Sequence, residues 1–160
     1  MKTLLLTFAL GTAFLAAMCV NAQVNTDAKF PKIKTAIDDK RAAEMLAGRH
    51  RMALQWVSWD YFGTAFVSNR KGRYAIKGEQ KSRRGTDFVR IDGIITSVDT
   101  KNFSFAGTIV TQISHINNGS PCTRDGEFTF RITGTRRYWR LAEMKNPCSE
   151  VTDYVDIYLR

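Results

Sequence analysis

From Arg51 onward the apolar residues fall into segments of period two, the period of a strand with one buried face. Phe103, Phe105, Ile109 and Ile113 alternate with Ser104, Ala106, Thr108 and Gln112, and Phe128, Phe130 and Ile132 alternate with Glu127, Thr129 and Arg131. Trp139 and Leu141 oppose Tyr138 and Arg140; Val155, Ile157 and Leu159 oppose Tyr154, Asp156 and Tyr158. Less regular strands are expected at 52–59, 63–69, 73–81 and 87–98, about eight strands in all. Lys71-Gly72, Asp99 to Asn102, Asn118-Gly119-Ser120, Asp125-Gly126 and Gly134-Thr135 supply the turn chemistry between them. The pattern predicts a mainly β protein, a small antiparallel meander closed or partly open as a barrel. A barrel of about eight strands is just wide enough to be filled by its own side chains or to hold one ligand.

Ahead of the strands, Ile33, Ala36, Ile37, Ala43, Leu46 and Ala47 form a stripe at helical spacing, and Gly48 is a stop. One N-terminal amphipathic helix over Lys32 to Ala47 is therefore expected, covering an end or an edge of the barrel. Earlier still, Met1-Lys2, the apolar run from Leu4 to Ala17 and the compact Val20-Asn21-Ala22 make the three-part pattern of a secretory signal peptide cut before Gln23. Bulky Met18 before Cys19 argues against lipid attachment there. The expected organisation is a signal peptide at 1–22, a polar leader and helix at 23–50, and a β domain at 51–160. Such a chain is secreted, or periplasmic in a Gram-negative source. After the N-terminus no stretch approaches the roughly 18 apolar residues of a membrane span. An oxidising compartment lets Cys122 and Cys148 join, closing a loop of 27 residues.

The chain carries 24 Lys and Arg against 15 Asp and Glu, a net charge of +9. Loss of Lys2 with the signal peptide leaves +8, and the excess is clustered. Arg70, Lys71, Arg73, Lys77, Lys81, Arg83 and Arg84 face only Glu79 within 70–84, and Arg131, Arg136, Arg137 and Arg140 share a stretch with no acid. Tyr74, Tyr138 and Trp139 are interleaved with them. Brought together on adjacent strands, these groups would bind an anionic polymer or surface, with Arg giving bidentate contacts and the rings stacking. The plainer reading is a solvated face that keeps the protein soluble.

Trp56, Trp59, Tyr61, Phe62 and Phe66 form an aromatic group. With Trp139 they are either core or the lining of a pocket for a small apolar ligand. Only two histidines are present, His50 and His115. No H-E-x-x-H, Gly-rich phosphate loop or G-x-S-x-G elbow occurs, so no metal and no cofactor is expected. A hydrolase or isomerase would need one histidine paired with an acid such as Asp92 or Asp156. An inhibitor or protein-interaction domain would use an exposed strand edge or the 122–148 loop. Asn102-Phe103-Ser104 and Asn118-Gly119-Ser120 fit the glycosylation pattern, the second in a loop. The functional expectation is an exported, non-enzymatic binding module with a basic, aromatic-bearing face.

Overall fold

The computed structural model describes residues 33–160, so the expectations for the signal peptide, Cys19 and the leader up to Lys32 lie outside the described residues. In chain order the described elements are β1 Ala36–Ile37, α1 Lys40–Leu46, β2 Gly48–Leu54, β3 Gly63–Arg70, β4 Arg73–Lys81, β5 Phe88–Val98, β6 Asn102–Gln112, β7 Cys122–Arg131, β8 Tyr138–Leu141 and β9 Val155–Tyr158. From β2 onward each strand pairs antiparallel with the next. β9 then returns to β2 through Met52↔Ile157, Ala53↔Asp156 and Leu54↔Val155. The eight strands close an up-and-down barrel, so that among the described residues each of β2 to β9 has a strand neighbour on both sides.

Alternation explains the interior. In β6 every second residue from Phe103 is buried, and the inward set from all strands includes Met52, Leu54, Ile76, Ile91, Phe105, Phe130, Leu141 and Ile157. Phe103 and Phe130 stack with centroids 5.0 Å apart, and Trp139 meets Phe103 edge-on at 5.7 Å. Ala42, Ala43 and Leu46 of α1 complete this core at one end of the barrel.

The helix is shorter and later than its stripe predicts, and β1 precedes it. Thr35, expected to be helical, donates its hydroxyl to the Ile95 carbonyl at 2.7 Å and accepts the Tyr74 N–H at 2.9 Å. Ala36 and Ile37 then pair in parallel with Ser97 and Val98. Asp39 is extended, at φ −128°, and its side chain accepts the Ala42 N–H at 3.0 Å, which makes it the N-cap. Short polar side chains thus divert the backbone from the first two turns of the expected helix. β2 is likewise shifted, to 48–54, and residues 55–59 belong to the following loop.

Asp125-Gly126, read as a turn, lies inside β7. The register explains it: Gly93, Gly107 and Gly126 are aligned across β5, β6 and β7. A Cβ at Gly107 would lie 2.2 Å from the Asp92 carbonyl oxygen, and one at Gly93 would lie 2.5 Å from the Ala106 carbonyl oxygen. Neighbouring backbones approach this closely where the sheet turns a barrel corner. We predict that Gly107→Ala lowers stability by about 1–3 kcal/mol, the range for overpacking. An unchanged denaturant midpoint would show that the corner relaxes freely.

Cys122 and Cys148 are joined, with Cα atoms 5.9 Å apart. The bond has a specific place in the barrel. β8 is short and its register with β7 covers only Phe130↔Leu141 and Arg131↔Arg140. The remainder of β7 is flanked by the segment after β8, where the Ala142 N–H donates to the Thr129 carbonyl at 2.7 Å. The disulfide ties that segment to the first residue of β7.

Candidate anion-binding surface

β4 and β8 lie four strands apart whichever way the barrel is followed, so the two basic clusters of the sequence do not share a sheet face. They meet in part at an end. The α1 cap, the 71–72 turn, the 99–101 turn, the 131–137 loop and the C-terminus are joined by backbone bonds. Thr35 N–H donates to the Gly72 carbonyl at 3.1 Å, Asp38 N–H to Val98 at 2.9 Å, Ile132 N–H to Lys101 at 2.8 Å and Leu159 N–H to Arg137 at 3.0 Å. Arg160 reaches the Glu44 carbonyl at 3.0 Å.

This end, comprising residues 33–49, 70–73, 99–101, 131–137 and Arg160, carries twelve Lys and Arg against four Asp and Glu. Its net side-chain charge is +8. The other described residues carry nine against ten, a net of −1. Asp99 is engaged by hydrogen bonds from Asn102 and Lys101, which with nearby Arg131 bring its carboxyl below the ordinary range although burial pushes it up.

The predicted basic residues therefore divide. Arg70, Lys71, Arg73, Arg131, Arg136 and Arg137 stand at the helix-capped end. Lys77 is midway along β4 and pairs with Asp92 at 3.6 Å. Lys81 pairs with Glu79 at 3.3 Å near the opposite end, where Arg84 is exposed and Arg83 lies over the Tyr61 ring at 4.4 Å. Arg140 projects from the outer face of β8. A shallow groove of about 370 Å³ runs along the outer face of β3 to β5, with Arg70, Arg73 and Lys77 around a floor of Ala75 and Ile94.

The pocket aromatics do not converge. Trp139 is inside the barrel, Trp56 and Trp59 are in the β2–β3 loop, and Phe66 points outward from β3 with 53% of its surface exposed. Trp56 donates its indole N–H to the Thr152 carbonyl at 3.2 Å, as part of the closure of the end opposite α1. The histidines have other partners than acids. His50 is buried with its ring nitrogens 2.8 Å from the Leu46 carbonyl and 3.0 Å from that of Tyr158, and His115 is exposed with its ring against Trp56. Asp92 is held by Lys77 and Asp156 by Arg140. Asn118 is exposed in a 3-10 turn, whereas the Asn102 amide bonds to Asp99.

The outer face of β2, β9 and β8 carries a ladder of rings and guanidinium groups that linear spacing does not bring together. Phe62 meets Tyr158 edge-on at 5.0 Å, and Tyr158 meets its cross-strand partner Tyr138 at 5.4 Å. Arg51 lies over Phe62 at 4.6 Å and Tyr158 at 5.2 Å, and Arg136 lies over Tyr138 at 5.7 Å. Arg140 is held between Tyr138 and Tyr154 and bonds Asp156 through both oxygens at 2.7 Å. Burial raises the Asp156 carboxyl from its usual range, against the pull of Arg140. The signal was present as Tyr138, Tyr154 and Tyr158 on the outward register of two strands, but pairing across β8 and β9 was needed to join them.

These features define a small disulfide-linked up-and-down β-barrel with a basic, helix-capped end. The chain belongs to the PM1083 family, whose model matches residues 34–159 and so spans the whole barrel. It is 42% identical over 149 residues to the uncharacterised protein PM1083 of Pasteurella multocida (strain Pm70), covering 91% of this chain and 92% of that one. No solved structure matches the chain. Among the described residues no helix is long and apolar enough to cross a membrane.

Proposed function

We propose that the protein is an exported, non-enzymatic binding module that holds an anionic polymer or surface, such as an envelope polysaccharide, a lipid head group or nucleic acid, on the helix-capped end of its barrel. The observation that carries this reading is the charge asymmetry, +8 at that end against −1 elsewhere among the described residues. A uniformly solubilising charge would have no reason to collect at one end. Collected there, it sets up a directional field that draws in polyanions and orients the protein on them. Export is supported by the N-terminal sequence pattern and is compatible with the Cys122–Cys148 bond.

The test is affinity for heparin and for polyphosphate as a function of salt. Binding should weaken steeply as salt rises, because each basic contact releases counterions. Lys71→Glu with Arg137→Glu should weaken binding by about tenfold or more, equivalent to about 1.4 kcal/mol. The matched reversal of Arg83 and Arg84 at the other end should change it by less than about twofold. Salt-indifferent binding, or equal effects of the two pairs, would overturn the assignment.

A further inference from the structure

We infer that the arginine–tyrosine ladder beside the basic end is a subsite for an acidic polysaccharide, one whose sugar rings carry carboxylate or sulfate groups. The inference rests on the proposed binding of an anionic partner and names the class of that partner.

Arg51 and Arg136 stand at the two ends of the row Tyr158–Tyr138 and project from exposed positions. Neither forms a salt bridge with a described residue, whereas Arg140 between them is neutralised by Asp156. The rings therefore lie beside two guanidinium groups that have no salt-bridge partner among the described residues. A guanidinium already ordered on a ring loses little further freedom when it grips an oxyanion with two parallel N–H groups. Two such grips separated by two rings suit a polymer whose charges are spaced by intervening units.

Between the grips, Tyr138 and Tyr158 are half-buried, and neither hydroxyl bonds to a described residue. Each presents an apolar ring edge and a phenol O–H together. A sugar ring offers the complement, C–H groups on its faces and hydroxyls around its rim. Nucleic-acid bases are a poorer match. The rings of the ladder meet at 73° and 47°, and guanidinium groups lie over Phe62 and Tyr138, so the row has no pair of parallel free faces between which a base could stack. Polyphosphate can accept from the phenol O–H groups but has no C–H face to set against the rings.

The full mature chain should be titrated with heparin, with alginate, with polyphosphate and with single-stranded DNA. Arg51→Gln and, separately, Tyr138→Leu should each weaken heparin or alginate binding by about tenfold. Both should leave polyphosphate binding within about twofold, since Arg51 lies outside the basic end. Heparin separates sulfate from the carboxylate of alginate as the preferred group. Ring-proton shifts of Tyr138 and Tyr158 on adding the glycan, and not on adding polyphosphate, would support the subsite in the wild-type chain, where folding is not in question. Equal loss for polyphosphate and glycan, or base-dependent shifts with DNA exceeding those with glycan, would overturn the subsite while leaving the anion-binding reading intact. Absence of binding to all four would overturn both.

Discussion

Arg124→Met is expected to lower stability by about 3–5 kcal/mol at neutral pH, the usual cost of breaking a buried ion pair by removing one partner. Arg124 points into the barrel from β7, with its side chain 7% exposed, and lies 3.5 Å from Asp153, whose side chain is 2% exposed. It also donates to the Glu143 carbonyl at 2.9 Å. Burial lowers the Arg124 guanidinium and raises the Asp153 carboxyl, so both charges are already strained by lost water. Without the arginine, Asp153 keeps its burial and loses its counter-charge. Because the folded carboxyl then binds its proton more tightly than the unfolded chain does, the contribution of this group to stability is greatest below the ordinary aspartate range. It declines as pH rises through the interval up to the raised value. The variant should therefore regain stability in mild acid. Adding Asp153→Asn should restore most of the loss at neutral pH, because the amide keeps an acceptor for Asn146, which now donates to Asp153 at 3.0 Å. Denaturant melts across pH of the single and double variants would decide the matter; a pH-independent deficit in the single variant would refute the account.

The second large effect concerns the bond between Cys122 and Cys148. Replacing Cys122 and Cys148 by alanine releases a loop of 27 residues. The chain-entropy relation gives a loss of about 3.5 kcal/mol, and for a domain of this size a fall in melting temperature of about 10 °C. Cys148 is also oriented by Asn146, whose side-chain oxygen accepts its N–H at 2.9 Å. Asn146 in turn touches Asp153, so the disulfide and the buried pair share a neighbour. Their effects should not be additive: the triple variant with Arg124→Met should lose less than the sum of the two. Scanning calorimetry of each would measure the coupling, and strict additivity would show that the loop and the pair are independent.

How far the fold was legible depended on which signals are local. β6, β8 and β9 are readable because their inward residues are mostly apolar and their outward residues mostly polar or amphipathic, and the two cysteines outside the signal peptide leave one way to pair. In β7 the alternation is plain only from Glu127. Its first half carries Arg124 at an inward position and Gly126 at a corner, both of which imitate a turn. Spacing alone overextends the helix because Ile33, Ala36 and Ile37 keep its period, while Thr35 and Asp39 are tied to distant or capping partners that spacing does not register. At the surface, linear proximity misled: residues 70–84 look like one cluster but run the length of β4 and beyond. Conversely, Lys71 and Arg137 are remote in the chain and reach the same end.

The path of the chain around the barrel has a consequence for how it is made. Seven of the eight ladders join strands that follow one another, so each can form as a hairpin with little loop entropy to overcome. Only β2 with β9 brings together residues as distant as Met52 and Ile157. Assembly should proceed as a zipper that shuts at this seam last. Until it does, β2 and β9 both present unpaired backbone, and the nascent protein is most open to joining a neighbour instead of itself.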